Sequence, residues 1–239
     1  MLILALESSA QSASVALCEN EKLICEIYAN TGLPHSVTLL PQVKAVLDFS
    51  GKKIEDIDLF ALSSGPGSFT GLRIGAATVK GLCREDKKCI GVSTLEAMAY
   101  SHLDFDGIVC ALMDARCNQF YNALFSGEKR LCEDRALLSE ELFSDLEKTE
   151  GKILLVGDGA ELCYKKLEDI NSPLLKRVLL CSESSRFQHA SGVCLSAFKK
   201  IENGQESVSA ENLILSYLRL PQAERELKKK EKKYDSNSV

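Results

Sequence analysis

The predicted elements of this 239-residue chain come in one order, twice. Apolar runs and turn signals in the first half place strands at 2–6, 13–18 and 23–28, then a helix at 36–49 that Gly51 stops. A strand at 59–63, a helix at 68–83, a strand at 89–92 and a helix at 94–101 follow. Glu19-Asn20-Glu21-Lys22 suits the hairpin turn between the second and third strands, because Asn tolerates tight backbone geometry. The second half gives strands at 108–113, 119–125 and 130–137, a helix at 140–147 and a strand at 153–156. A helix at 160–167, a strand at 178–180 and a helix at 186–201 complete it. A repeated βββαβαβα order predicts two similar α/β lobes, 1–105 and 106–220, with a cleft between them. The charged remainder, 221–239, is expected to pass from frayed helix to disorder.

The densest local signal is Gly65-Pro66-Gly67-Ser68-Phe69-Thr70-Gly71-Leu72-Arg73-Ile74-Gly75-Ala76-Ala77. It joins a buried strand to a helix that is apolar on nearly every side. Gly65 and Gly67 reach backbone angles closed to other residues, Pro66 stiffens the turn, and Ser68 is placed to cap the helix. A strand, a glycine turn and a helix N-terminus make an anion site in principle. No Lys-Ser/Thr pair follows, so this is not a Walker A loop. The run is either a phosphate cradle or the remains of one.

Composition narrows the classes. A net charge of −5 argues against stand-alone, charge-driven RNA binding. No apolar run approaches a membrane span, and the apolar start lacks a basic region before it, so a cytoplasmic location is expected. Ten cysteines contain no Cys-x-x-Cys pair and read as small buried hydrophobes in a reducing compartment. No two of the three histidines, His35, His102 and His189, have metal-ligand spacing on a helix.

The duplicated lobe resembles the α/β, ribonuclease H-like fold shared by actin, hexokinase and the ATPase domain of heat-shock chaperones (ASKHA). The motifs resemble the TsaB/TsaD family: Leu2-Ile3-Leu4-Ala5-Leu6-Glu7-Ser8-Ser9, Pro34-His35-Ser36 with Leu39-Leu40-Pro41, the 65–77 run, and Gly91-Val92-Ser93-Thr94-Leu95. Asp114-Ala115-Arg116 with Gln119-Phe120-Tyr121, Leu155-Val156-Gly157-Asp158-Gly159-Ala160, and Tyr217-Leu218-Arg219 also fit, the last lobe most loosely. The resemblance implies a non-catalytic TsaB-type partner of a TsaD-type transferase that makes threonylcarbamoyladenosine in tRNA. It implies a TsaE-type ATPase in the same complex, indirect contact with tRNA, and no cofactor of its own.

Residue by residue, the His-x-x-x-His metal site of TsaD-type enzymes has no counterpart here; His102 alone occupies that region. The turn after the first strand carries neutral Gln11, which leaves Glu7 as its acid. Glu7, Ser8, Gly65, Gly67 and Asp114 are therefore read as a vestigial cofactor cleft, with Glu7 structural and bonded by the glycine turn, and Asp114 paired with Arg116 at the lobe junction. Ser8, Ser9 and Ser68 lack a nucleophile elbow, so a peptidase is remote. The alternative reading is a nucleotide-dependent enzyme using that cleft. The partner interface is placed on Leu39, Leu40 and Val43 of one helix and Gly71, Leu72, Gly75, Ala76 and Val79 of the next, where Gly71 and Gly75 lower the surface for a close-packed helix, from TsaD or a second copy of this chain. On that reading Gly75→Arg abolishes partner binding in a folded monomer. The Lys228-Lys229-Lys230-Glu231-Lys232-Lys233 cluster reads as a solvated tail.

Overall fold

The first apolar run becomes β1 (Leu2–Glu7), and all six of its residues are buried. An unbroken apolar strand needs cover on both faces, and it has that cover. Leu2, Leu4 and Leu6 face Leu39, Val43 and Val46 of α1 (His35–Ser50) and Ala76 and Val79 of α2 (Phe69–Leu82). Ile3 and Ala5 face Ala190, Val193, Cys194 and Ala197 of α7 (Ala190–Glu202). With β2 (Ala13–Glu19), β3 (Lys22–Ala29), β4 (Leu59–Gly65) and β5 (Lys88–Ser93), the sheet runs in the order β3-β2-β1-β4-β5. β2 is antiparallel to β1 and β3, and β4 is parallel to β1 and β5. Asn20 sits in the β2–β3 hairpin with a left-handed φ of 53°. This computed structural model describes residues 1–83 and 87–219.

The second lobe repeats the scheme. β6 (Ile108–Asp114) is central, between β7 (Gln119–Ser126) and β10 (Ile153–Val156), with β11 (Val178–Leu180) on the outside. Ile108, Cys110 and Leu112 face α4 (Ser139–Glu147) and α5 (Ala160–Asp169), while Val109, Ala111 and Met113 face α3 (Thr94–Tyr100). The third strand, expected over 130–137, is two pieces, β8 (Lys129–Arg130) and β9 (Arg135–Leu138). Arg130 bonds the Cys132 carbonyl at 3.4 Å and the Asp134 carboxylate at 2.6 Å. These bonds hold an excursion, so β8 pairs the end of β7 and β9 pairs its start. The last helix, expected over 186–201, is also broken. A short α6 (Glu183–Arg186) ends at extended Phe187, and α7 begins only at Ala190. The Arg186 carbonyl accepts from Gly157 N at 2.6 Å, and Ala190 N donates to Ser14 Oγ at 2.8 Å. Both groups are thereby committed outside a continuous helix.

The lobes exchange helices: α3 covers the second sheet and α7 the first. They cross so closely at Gly192 that a Cβ there would collide with the Ala97 carbonyl. At the crossing Glu96 accepts from Ser196 Oγ at 2.7 Å and Arg130 at 2.8 Å, and Lys200 lies 3.1 Å away. Burial pushes its carboxyl up, and these partners more than reverse that, so its pKa ends below the usual carboxylate range.

Residues 206–219 return as a strap. Val208 bridges to Cys89 of β5, Leu213 enters the first core, and Ser216 N donates to Ser64 O at 2.7 Å. Tyr217 stacks on Phe69 at 4.0 Å, and Arg219 donates to the Ala115 carbonyl in the second lobe. The strap therefore spans both lobes. The charged tail and its lysine cluster lie outside the described residues. Among the described residues, no helix is long and apolar enough to cross a membrane.

Candidate functional site

The glycine run is packed, and what packs it decides its chemistry. Gly65 has a φ of 124°, and a Cβ there would collide with the Ser216 carbonyl of the strap. A Cβ at Gly67 would meet the Ser9 carbonyl, and one at Gly71 the Ser8 carbonyl. Ser68 caps α2 by accepting from Gly71 N at 3.3 Å, and its own N–H donates to Ser9 O at 2.6 Å. The glycines thus make room for three backbone carbonyls packed against the turn.

The lobes enclose a cavity of about 780 Å³. Of the five residues assigned to a vestigial cleft, Gly67 and Asp114 line it, whereas Glu7, Ser8 and Gly65 are buried behind it. Glu7 accepts from Ser9 N at 2.6 Å and from the Ser63 hydroxyl of β4, so its partners are not the glycine turn. Burial raises its pKa, partly offset by those bonds. The Ser8 hydroxyl donates to Gly71 O at 3.0 Å. Asp114 accepts from its own turn, at Arg116 N, at 2.8 Å. The Arg116 guanidinium is 3.7 Å from that carboxylate and 82% exposed. The pair therefore holds a turn, not the lobe junction; Arg219 and the Glu96 cluster tie the lobes. That turn places Arg116, Cys117 and Asn118 all at left-handed φ, 62°, 56° and 60°, which non-glycine residues rarely adopt.

Sequence reasoning did not single out the second carboxylate of the cavity lining. Asp158, in the Gly157–Gly159 turn, accepts from Gln188 Nε2 at 2.6 Å. Burial raises its carboxyl to about 6, with Asp114 and Glu7 adding repulsion. The Gly-Asp-Gly turn was the available signal; Gln188, placed inside an expected helix, gave none. His102 bonds the Ser185 carbonyl at 3.0 Å. Among the described residues, no three His, Cys, Asp or Glu side chains are grouped to hold a metal. All ten cysteines are free thiols.

The helix face also differs from expectation. Leu39, Val43, Gly71, Leu72, Gly75, Ala76 and Val79 are buried in the chain's own core; of the eight interface candidates only Leu40 is exposed. The Gly71/Gly75 groove is filled from within, by Ser8. The outward residues of α1 and its approach are Leu33, Val37 and Leu40, 56%, 60% and 54% exposed. Beside them α2 exposes Arg73, Ala77 and Gly81.

Residues 30–214 match the family model described as TsaD, tRNA N6-adenosine threonylcarbamoyltransferase. A Bacillus subtilis protein named tRNA threonylcarbamoyladenosine biosynthesis protein TsaB is 27% identical over 94% of this chain and 96% of its own length. The Escherichia coli protein of that name is 33% identical over 66% of this chain and 72% of its own. The solved structure of YeaZ, as TsaB is also called, from Pseudomonas aeruginosa matches with a TM-score of 0.74 at 26% identity, covering 91% of this chain and 99% of its own. The chain belongs to the TsaB family. Its TsaB-type motifs at 114–116 and 217–219 meet in one place, where Arg219 donates to the Ala115 carbonyl across the cavity mouth. The duplicated actin-like architecture expected for a TsaB-family chain is present in both sheets.

Proposed function

We propose that this chain acts in tRNA threonylcarbamoyladenosine biosynthesis as the non-catalytic partner of a TsaD-type transferase, docking through the outward faces of α1 and α2. The observation that carries the docking is the exposed pair Val37 and Leu40, three apart on one face of α1, with exposed Leu33 just before the helix, beside the small outward residues Ala77 and Gly81 of α2. Apolar residues at this spacing form a contiguous strip, and a strip of this kind marks an interaction surface. Small residues next to it let a partner helix approach closely. Docking holds the transferase in its competent arrangement, a shift of population by binding. A TsaE-type ATPase and tRNA join through that complex, and a second copy of this chain competes for the same face.

The test is co-purification of the full chain with a TsaD-type protein, using the double variant Val37→Asp/Leu40→Asp. Both side chains are exposed, so the variant folds normally and binds at least about tenfold more weakly. Undiminished binding overturns the docking face. In a reconstituted mixture supplied with threonylcarbamoyl-adenylate, tRNA modification requires this chain; equal modification without it overturns the partner role.

A further inference from the structure

The outward face of α2 carries charge of one sign. Beyond the first turn its exposed residues are Arg73, Ala77, Lys80 and Gly81, and the helix contains no acid. Arg73 and Lys80 are seven residues apart, two turns and about 10 Å along one stripe. Among the described residues, neither has a carboxylate within ion-pair distance. The neighbouring face of α1 adds no net charge, because its Lys44 and Asp48 pair with each other at 2.5 Å. An unneutralised positive stripe thus stands on a chain whose net charge is −5.

Arg73 is also held in place. Its Cζ lies 4.5 Å from the centre of the Phe69 ring, and the Tyr217 ring of the strap stacks on Phe69 at 4.0 Å. A ring has two faces, so Arg73 takes one and Tyr217 the other. A stacked guanidinium keeps the N–H groups of its edge available for a carboxylate, which they grip as a planar fork. Holding the side chain beforehand lowers the entropy lost on binding. Ala77, one turn on from Arg73, and Gly81, next to Lys80, admit a closely packed helix, and such a helix passes both cations.

We propose that the partner helix seated on α1 and α2 presents two carboxylates about 10 Å apart, one gripped by the Arg73 fork and the other by Lys80, with Arg73 the specificity-determining residue of the face. This rests on the docking reading above. A second copy of this chain brings no unpaired carboxylate on the same two helix faces, so the cations favour an acidic transferase helix over self-association. The apolar pair Val37 and Leu40 beside the cations suits a protein helix, and the net negative charge of the chain disfavours a nucleic acid.

The experiment measures the affinity of the full chain for a TsaD-type protein by calorimetry at about 50 mM and about 500 mM salt. The unaltered chain binds at least about fivefold more weakly at the higher salt. Arg73→Gln/Lys80→Gln binds at least about tenfold more weakly at low salt and loses that dependence. Arg73→Lys, which keeps the charge and loses the fork, weakens binding by about threefold or more. Salt-independent affinity of the unaltered chain, undiminished binding by the double variant, or full binding by Arg73→Lys overturns the proposal. So does a double variant that weakens binding of tRNA by the full chain and leaves the transferase unaffected. The salt comparison uses unaltered protein, so it decides the matter whatever the variants do to folding. The docking reading fails separately, when Val37→Asp/Leu40→Asp binds the transferase as well as the unaltered chain does.

Discussion

At the scale of single residues, Gly71 and Gly81 lie in one helix and predict opposite outcomes. Alanine is favoured over glycine in a helix by about 1 kcal/mol. Nothing lies near a Cβ built at Gly81, so Gly81→Ala gains up to that amount. At Gly71 the added methyl collides with the Ser8 carbonyl, rigid backbone of the adjoining turn. Gly71→Ala therefore destabilises, by about 2 kcal/mol or more, and paired thermal melts show the contrast. If Gly71 lay open for a partner helix, both variants would stabilise. Asp158 supplies a second residue-scale prediction. Its carboxyl titrates near 3.8 in the unfolded chain and about 6 in the folded one, so the folded state holds the proton more tightly. Its unfavourable contribution is absent below about pH 4, grows as pH rises between those values, and is complete above the folded value. Asp158→Asn accordingly stabilises the free chain at pH 7.5 by about 1–3 kcal/mol, with the gain vanishing near pH 3.5. A gain that is flat with pH refutes the burial account.

At the scale of elements, α2 shows how periodicity misleads about direction. The pattern of small and apolar residues correctly gives a helix buried on more than one side, and Ser68 correctly caps it. Periodicity does not say which face meets the sheet. Ser8, 63 residues away in sequence from Gly71, decides that. Gly75→Arg is consequently a folding variant, since its side chain would drive into Ser8 and Leu62, and it does not isolate partner binding. The crossing of α3 and α7 is the other element-scale feature without a local signal. Glu96 meets Arg130, Lys200 and Ser196, which are 34 to 104 positions distant, and no window of sequence contains them. Because its folded carboxyl is held below the ordinary value, its stabilising contribution is present above about pH 4.5 and lost as acid titrates the folded group. Glu96→Ala leaves Arg130 and Lys200 facing a gap and costs about 2 kcal/mol at neutral pH. Urea unfolding at pH 7 and pH 3 tests this: the deficit is large at the first and shrinks at the second.

At the scale of the whole molecule, the repeat was legible because each lobe is built from local signals: apolar runs, glycine stops and a hairpin asparagine. The exchange of α3 and α7 and the return of the strap were not, because both depend on contacts between distant segments. Asp114 was legible as an acid of the cleft paired with Arg116, but not as the holder of a turn, whereas Gln188 was hidden in an expected helix that the Gly157 and Ser14 contacts interrupt. The strap is where these distant contacts converge. It is anchored in the first core by Leu213, crosses the glycine turn at Ser216, stacks Tyr217 on the first turn of α2, and ends with Arg219 on carbonyls of the 114–118 turn. That turn holds three successive left-handed residues, two of them, Arg116 and Cys117, of types disfavoured there, so outside bonds must hold it in place. Tyr217→Ala/Arg219→Ala removes the stack and the turn's guanidinium while keeping the Leu213 anchor. Amide exchange then accelerates by about tenfold at 114–118 and at the start of α2, while the central strands β1 and β6 keep their protection. The selectivity of that change is what matters: a uniform rise across both lobes means that the strap only adds global stability, and no rise at 114–118 means that it does not tie the second lobe to the first.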